Sequence, residues 1–345
     1  MKDSSLRLVI FLVILALECS AQDETVRVES ATVQVPVSVY GRDGTIKASL
    51  KKDNFKLFEN GVEQEIAYLE SGESPFTVML LADLSGSLNE HKVQIGRAID
   101  TFIGMLRPND TVVVATFDSA KDIDIRVPPT LKKDYSAPKP PSSRGTESPY
   151  TITFDAVDQA IKYLGKLKGR RAIVLFGDGE LWGMKATAAE NLRAAEESES
   201  TFFTIRYGDY PLACVIPDPF ADSAMLSGAQ SSEVGGIMSR RDIDVRYKNS
   251  TCAYRKNEIS KLVENVGRYF NGLSERTAGR SYQIAKVENV ADVFKQIITE
   301  MGQQFTLGYE PVEPGKDGER RKITVKVNIP NVAVRSRNEV IFNKK

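Results

Sequence analysis

Asp83-Leu84-Ser85-Gly86-Ser87 puts one carboxylate and two hydroxyls on five consecutive residues. Gly86 lets such a loop fold tightly. Asp178 stands between two glycines, Gly177 and Gly179. Thr151 and Thr153 come just before a segment that reads as a helix from about Asp155. All of these groups offer hard oxygen. Hard oxygen suits Mg²⁺, Mn²⁺ or Ca²⁺ and does not select zinc or copper. The candidate chemistry is therefore coordination of one divalent cation, with Mg²⁺ first. The plain alternative is that Asp83 and Ser85 only cap a helix. Asp155 and Glu180 read as acids that support the ligands or a helix N-terminus from behind.

Other chemistries are thin. The chain of 345 residues has a single histidine, His91. Ser-His-Asp or Cys-His catalysis must use it or not exist, and a multi-histidine zinc site is excluded. Beside Lys92, His91 reads as a surface residue. A phosphatase with an aspartate nucleophile would want a second Asp two residues after Asp83, and Ser85 stands there. Lys plus Arg number 46 and Asp plus Glu number 46, so the formal net charge is zero. That balance argues against a nucleic-acid binder and against a polybasic membrane module.

The elements that must hold these residues alternate. Phe76–Ala82 is an apolar run ending at Asp83, as in a strand buried on both faces. Ile95, Ile99, Phe102, Ile103 and Leu106 then recur at helical spacing. Thr111–Phe117 is a second buried strand and Ile123–Val127 an edge strand, followed by a loop over 132–149. A helix over 156–167 leads to a third buried strand, Arg171–Phe176, which ends at Gly177-Asp178-Gly179. A helix at 186–196 and a strand at 201–207 continue the alternation, and helix, strand and helix resume over 259–301. This pattern predicts an α/β fold with a mostly parallel sheet and helices on both faces. Asp83 and Asp178 then sit just beyond the carboxyl ends of strands, where open α/β sheets bind ligands.

The two ends of the chain are β-patterned. Valines alternate with polar residues from Val33 to Val39, and Glu59-Asn60-Gly61 is a hairpin turn signal. Strands are expected again at 305–309, 321–329 and 332–342. Neither end is large enough to be stable alone, so the two are expected to form one accessory β-sandwich into which the α/β part is inserted.

Lys2 and Arg7 precede an apolar run from Leu8 to Leu17, followed by Cys19-Ser20-Ala21. The run is too short to span a bilayer, which needs about 20 residues. It reads as a secretory signal peptide cut after Ala21. A lipoprotein reading at Cys19 is disfavoured by Glu18. The remaining cysteines, Cys214 and Cys252, lie in an aperiodic insertion at about 209–256, and in an oxidising compartment they are expected to form a disulfide. The expected organisation is a signal at 1–21, a β segment at 22–72, the α/β domain at 73–303 and a second β segment at 304–345. The mature chain has no further apolar run of membrane length, so a secreted or periplasmic location is expected.

The loop Asp83–Ser87, Asp178 and the segment Tyr150-Thr151-Ile152-Thr153-Phe154-Asp155-Ala156 together resemble a von Willebrand factor A domain and its metal-ion-dependent adhesion site. In that pattern an Asp-x-Ser-x-Ser loop is joined by a threonine from a second loop and an aspartate from a third. The resemblance implies Asp83, Ser85, Ser87, Thr151 and Asp178 as metal ligands, with Thr153 the alternative to Thr151. Gly177 departs from the pattern, where Thr or Ser is common. Asp53-Asn54-Phe55-Lys56-Leu57-Phe58-Glu59-Asn60-Gly61, Phe305-Thr306-Leu307-Gly308-Tyr309 and Arg321-Lys322-Ile323 are similar to segments of exported bacterial, acidobacterial-type proteins related to that family. What the resemblance implies is a non-catalytic adhesion module whose cation is completed by an Asp or Glu of an unidentified partner protein. An envelope scaffold with a structural metal and a metal-dependent phosphoesterase are the competing expectations.

Overall fold

Val78, Leu80 and Ala82 face one way from a single strand, while Met79 and Leu81 face the other, and all five are buried. A strand apolar on both faces needs a layer of helices on each side. The computed structural model supplies them. It describes residues 32–41, 45, 47, 49–85, 92–118, 122–137, 151–179, 181, 183–207 and 256–342, apart from the side chains of 256–263 and 287. The described residues fall within one compact unit.

The central sheet has six strands: β5 (Phe76–Asp83), β6 (Thr111–Phe117), β7 (Asp124–Leu131), β8 (Arg170–Gly177), β9 (Ser200–Tyr207) and β10 (Ser281–Ile284). Their order is β10-β9-β8-β5-β6-β7. All neighbours are parallel except β7, which runs antiparallel to β6. Helices α1 (Lys92–Met105) and α5 (Val290–Met301) pack on the face of Val78 and Leu80, with Phe102 and Phe294 edge to face at 4.9 Å. Helices α2 (Thr153–Leu164), α3 (Ala188–Glu197) and α4 (Lys256–Arg276) cover the face of Met79 and Leu81. Asn191 ties these three together, donating to Phe154 O at 3.0 Å and meeting the Tyr269 hydroxyl at 2.8 Å. The edge strand β7 runs further than the sequence pattern suggested, through Pro128 and Pro129 to Leu131. Prolines are tolerated there because an edge strand needs no donor on its open side.

The chain ends build two antiparallel four-stranded sheets. One has the order β13-β1-β11-β4, from β1 (Val33–Gly41), β4 (Ile66–Glu70), β11 (Phe305–Tyr309) and β13 (Val332–Ser336). The other has the order β14-β12-β2-β3, from β2 (Phe55–Glu59), β3 (Val62–Gln64), β12 (Arg320–Val327) and β14 (Glu339–Ile341). Val35, Val37, Phe305 and Leu307 of the first share a core with Leu57, Ile323 and Val325 of the second. The opening block is thus not a sheet layer by itself: β1 and β4 belong to one sheet, β2 and β3 to the other. Asn60 and Gly61, with φ of 48° and 86°, make the two-residue turn between β2 and β3. The single strand expected over 332–342 is broken at Arg337-Asn338, where the chain changes sheets.

Two linkers join the sandwich strands to the central sheet, and they touch. A Cβ on Gly72 would lie 2.1 Å from Gly302 O, so only glycine allows this crossing. Arg170 holds both linkers, donating to Ser74 O on one and to Met301 O and Gln304 O on the other, each at 2.9 Å. Burial pulls its guanidinium down to about 10. Among the described residues no helix is long and apolar enough to cross a membrane.

Candidate functional site

Asp83 is the last residue of β5, level with Phe117 of β6. On the other side, Ala82 pairs with Phe176 of β8, so Asp83 meets Gly177. A Cβ on Gly177 would be in ordinary contact, 3.4 Å, with the Asp83 carboxylate. Asp178 follows directly. Two of the candidate ligands therefore leave the ends of adjacent strands, Asp178 one residue beyond the level of Asp83, and neighbouring strands lie about 4.8 Å apart.

The loop after β5 turns on its own aspartate. Asp83 Oδ1 accepts from Ser85 N at 2.8 Å, an Asx-type turn that fixes the first ligand and the loop backbone together. Leu84 N donates to Phe117 O at 2.8 Å and extends the sheet bonding by one residue. Asp118 comes next, and its carbonyl accepts from Ile152 N at 3.1 Å. That bond docks the segment containing Thr151 and Thr153 onto the end of β6. Asp83 and Thr151 are each 1% exposed, Ser85 and Thr153 are also buried, and Asp178 is half-buried. The structure thus brings Asp83, Ser85, Thr151, Thr153 and Asp178 to one edge of the sheet. Ser87, His91, Glu180, Cys214 and Cys252 lie outside the described residues, as does the insertion expected at about 209–256 except for Lys256, which opens α4.

Among the described residues, no three His, Cys, Asp or Glu side chains converge as a metal cluster. A cation here would need hydroxyl oxygens beside its carboxylates, and that is the donor set this edge offers. Such a set fits a hard divalent cation, with Asp83, Ser85 and Asp178 as protein ligands and Thr151 or Thr153 supplying the threonine oxygen.

Gly179 has φ of +92°, and a Cβ there would lie 2.7 Å from Val266 Cγ1 and 3.3 Å from Arg206 Cδ. This glycine carries the turn after Asp178 and lets the loop settle against α4 and β9. Asp155 has a task the sequence did not specify. Buried in the first turn of α2, its carboxylate accepts from the backbone N–H groups of Met184, Lys185 at 3.0 Å and Ala186 at 3.3 Å. It pins the loop between β8 and α3 to the helix that follows Thr151. Asp118 follows the buried strand Thr111–Phe117, and no sequence motif marks it.

No family profile and no curated protein matches the sequence. Solved structures do. The chain is similar to a von Willebrand factor type A protein from Catenulispora acidiphila, at 10% identity and a TM-score of 0.42, covering 92% of this chain and 76% of that one. It is similar to the ArnB paralog VWA2 from Sulfolobus acidocaldarius, at 10% identity and a TM-score of 0.40, covering 90% of this chain and 75% of that one. It is similar to proximal thread matrix protein 1 from the mussel byssus, in a structure with a zinc-occupied MIDAS motif. There the identity is 8% and the TM-score 0.39, with 70% of this chain matched to 49% of that one.

Proposed function

We propose that the protein is a binding module that holds one divalent cation at the carboxyl edge of its central sheet and grips a partner protein through it. Asp83, Ser85, Ser87, Thr151 and Asp178 would hold the ion. Mg²⁺ is the first choice, with Mn²⁺ and Ca²⁺ alternatives of the same hard class. The observation that carries the reading is Asp83: a buried carboxylate, locked in its own turn at 2.8 Å, level with the strand that delivers Asp178. When bound, the ion supplies an electrophilic open position that a partner's Asp or Glu can fill. The chain's own part is to fix that position. β5 and β8 end at these two acids on neighbouring strands, and the Ile152–Asp118 bond ties the threonine segment to the end of β6.

No catalytic role is proposed. Residues 1–21 are proposed as an export signal, so that the module works outside the cytoplasm. The test is calorimetric titration of Mg²⁺ and Mn²⁺ into the wild type, Asp83→Asn and Asp178→Asn. Wild type is expected to bind one ion, and each variant to lose on the order of 100-fold or more in affinity, since even outer partners of a metal site cost 10- to 100-fold. Equal binding by all three proteins overturns the reading.

A further inference from the structure

A cavity of about 20 Å³ lies at the junction of the sandwich and the central sheet. Gln34 of β1 and Thr306 of β11 line it from the sandwich. Arg170 and Arg171 of β8, with Glu199 and Thr201 at the start of β9, line it from the central sheet. The volume is about what one water-sized particle needs. It leaves no room for a phosphate, a sulfate or a carboxylate. The cavity is at the opposite end of β8 from Gly177, and so away from the Asp83 edge.

The charges around it do not balance. Two guanidinium groups and one carboxylate line the cavity, an excess of one positive charge. Arg171 Nη1 donates to Leu167 O, and Nη2 donates to Glu199 Oε2 at 2.5 Å. The Arg171 side chain is only 7% exposed, yet its Nε–H meets no acceptor among the described residues. A buried donor without an acceptor is costly, more so on a charged group. Arg170 is also buried, and its Nη1 and Nη2 donate to carbonyl oxygens only. Carbonyl dipoles satisfy those donors and leave the net charge in place. Glu70, the acid whose charge bears most on Arg170, does not line the cavity. A buried charge without a counter-charge is strongly unfavourable.

We propose that this cavity binds one monatomic anion, of which chloride is the first choice, through the Arg171 Nε–H and the joint charge of Arg170 and Arg171. A water molecule could accept from Nε, but only an anion also offsets the excess positive charge. The ion braces the joint between sandwich and sheet, because Arg170 holds both linkers there. The site is independent of the proposed cation.

The probe is chloride itself. Thermal unfolding of the full chain is followed in sodium chloride and in sodium gluconate at equal ionic strength, so that screening is the same. Arg171→Lys keeps a positive charge beside Glu199 and removes the Nε–H. General effects of the two salts act on both proteins alike. The chloride-minus-gluconate difference in midpoint is expected to be about 2–6 °C larger in the wild type at about 300 mM salt, as for a site filled well above its Kd. In the wild type the chloride effect is expected to saturate, which decides the matter even if Arg171→Lys does not fold. Wild-type crystals grown in bromide are expected to show an anomalous peak in the cavity. No peak there overturns the proposal. So does a chloride effect that rises without saturating, or one that is equal in both proteins; a bromide peak in that case marks an adventitious ion only.

Discussion

Removing the Asp155 carboxylate separates two roles that an acid near a cation site can have. The carboxylate accepts three backbone N–H groups, those of Met184, Lys185 and Ala186. A hydrogen bond to a charged group contributes roughly 1.5–3 kcal/mol net. Met184 and Lys185 are exposed, so water can take over much of what their N–H groups lose; Ala186 is half-buried and recovers less. One bond counted nearly in full and two at a fraction give about 2–4 kcal/mol for Asp155→Ala. That range takes in the favourable acid in the first turn of α2, which adds about 0.3–1 kcal/mol. The loss is local first: about 2.7 kcal/mol corresponds to roughly a 100-fold fall in protection of the loop amides. Hydrogen exchange of residues 184–186 measures this directly, and urea unfolding gives the global cost. Mn²⁺ affinity by calorimetry is expected to stay within about threefold of wild type, because Asp155 holds the loop and not the ion; an outer partner of a ligand would cost 10- to 100-fold. Unchanged loop protection would refute the anchoring argument. A loss of metal affinity as large as in Asp83→Asn would move Asp155 among the ligands.

Gly179→Ala puts a side chain at φ of +92° and 2.7 Å from Val266 Cγ1. It is expected to lower stability by about 1–3 kcal/mol, as overpacked sites do, and to displace Asp178, which thermal melts and Mn²⁺ titration would register; a variant indistinguishable from wild type in both contradicts the packing argument. The Tyr40 hydroxyl donates to buried Glu300 at 2.5 Å, and burial, followed by the Glu300 charge, pushes it up to about 12. A folded pKa above the ordinary value of 10 means that its stabilisation is complete below pH 10 and is lost as pH rises towards 12. Tyr40→Phe is therefore expected to flatten the fall in stability between pH 10 and 12, followed by urea midpoints at each pH. An identical slope in both proteins refutes it.

Periodicity made the central sheet legible, because a parallel strand covered by helices on both faces is apolar throughout and its helices repeat every 3.6 residues. Phe76–Asp83, Thr111–Phe117 and Arg170–Gly177 are local patterns, and their ends mark the site because ligands collect where parallel strands stop. The oxygen-rich types at Asp83, Ser85, Thr151 and Asp178 needed no fold to suggest a hard cation. The sequence could also show that both chain ends are β.

Pairing was not legible, since a strand's partner is fixed by shared burial across long chain separations. Only in the folded chain does Val33 pair with Tyr309 and Val327 with Phe55. Only there does Arg337, buried and donating to Ser198 O at 3.0 Å, mark the break between β13 and β14. The linkers are a like case: nothing in the local pattern of Gly72 foretells that Gly302 will lie against it, or that Arg170 will hold both. Asp155 read as one more acid at a helix start, because its three N–H partners lie about 30 residues on, in a loop without periodicity. Residue type and spacing determined which chemistry this chain can attempt. Tertiary contact decided that Asp155 is an anchor, because a carboxylate's role depends on the charges and N–H groups that reach it in the folded protein.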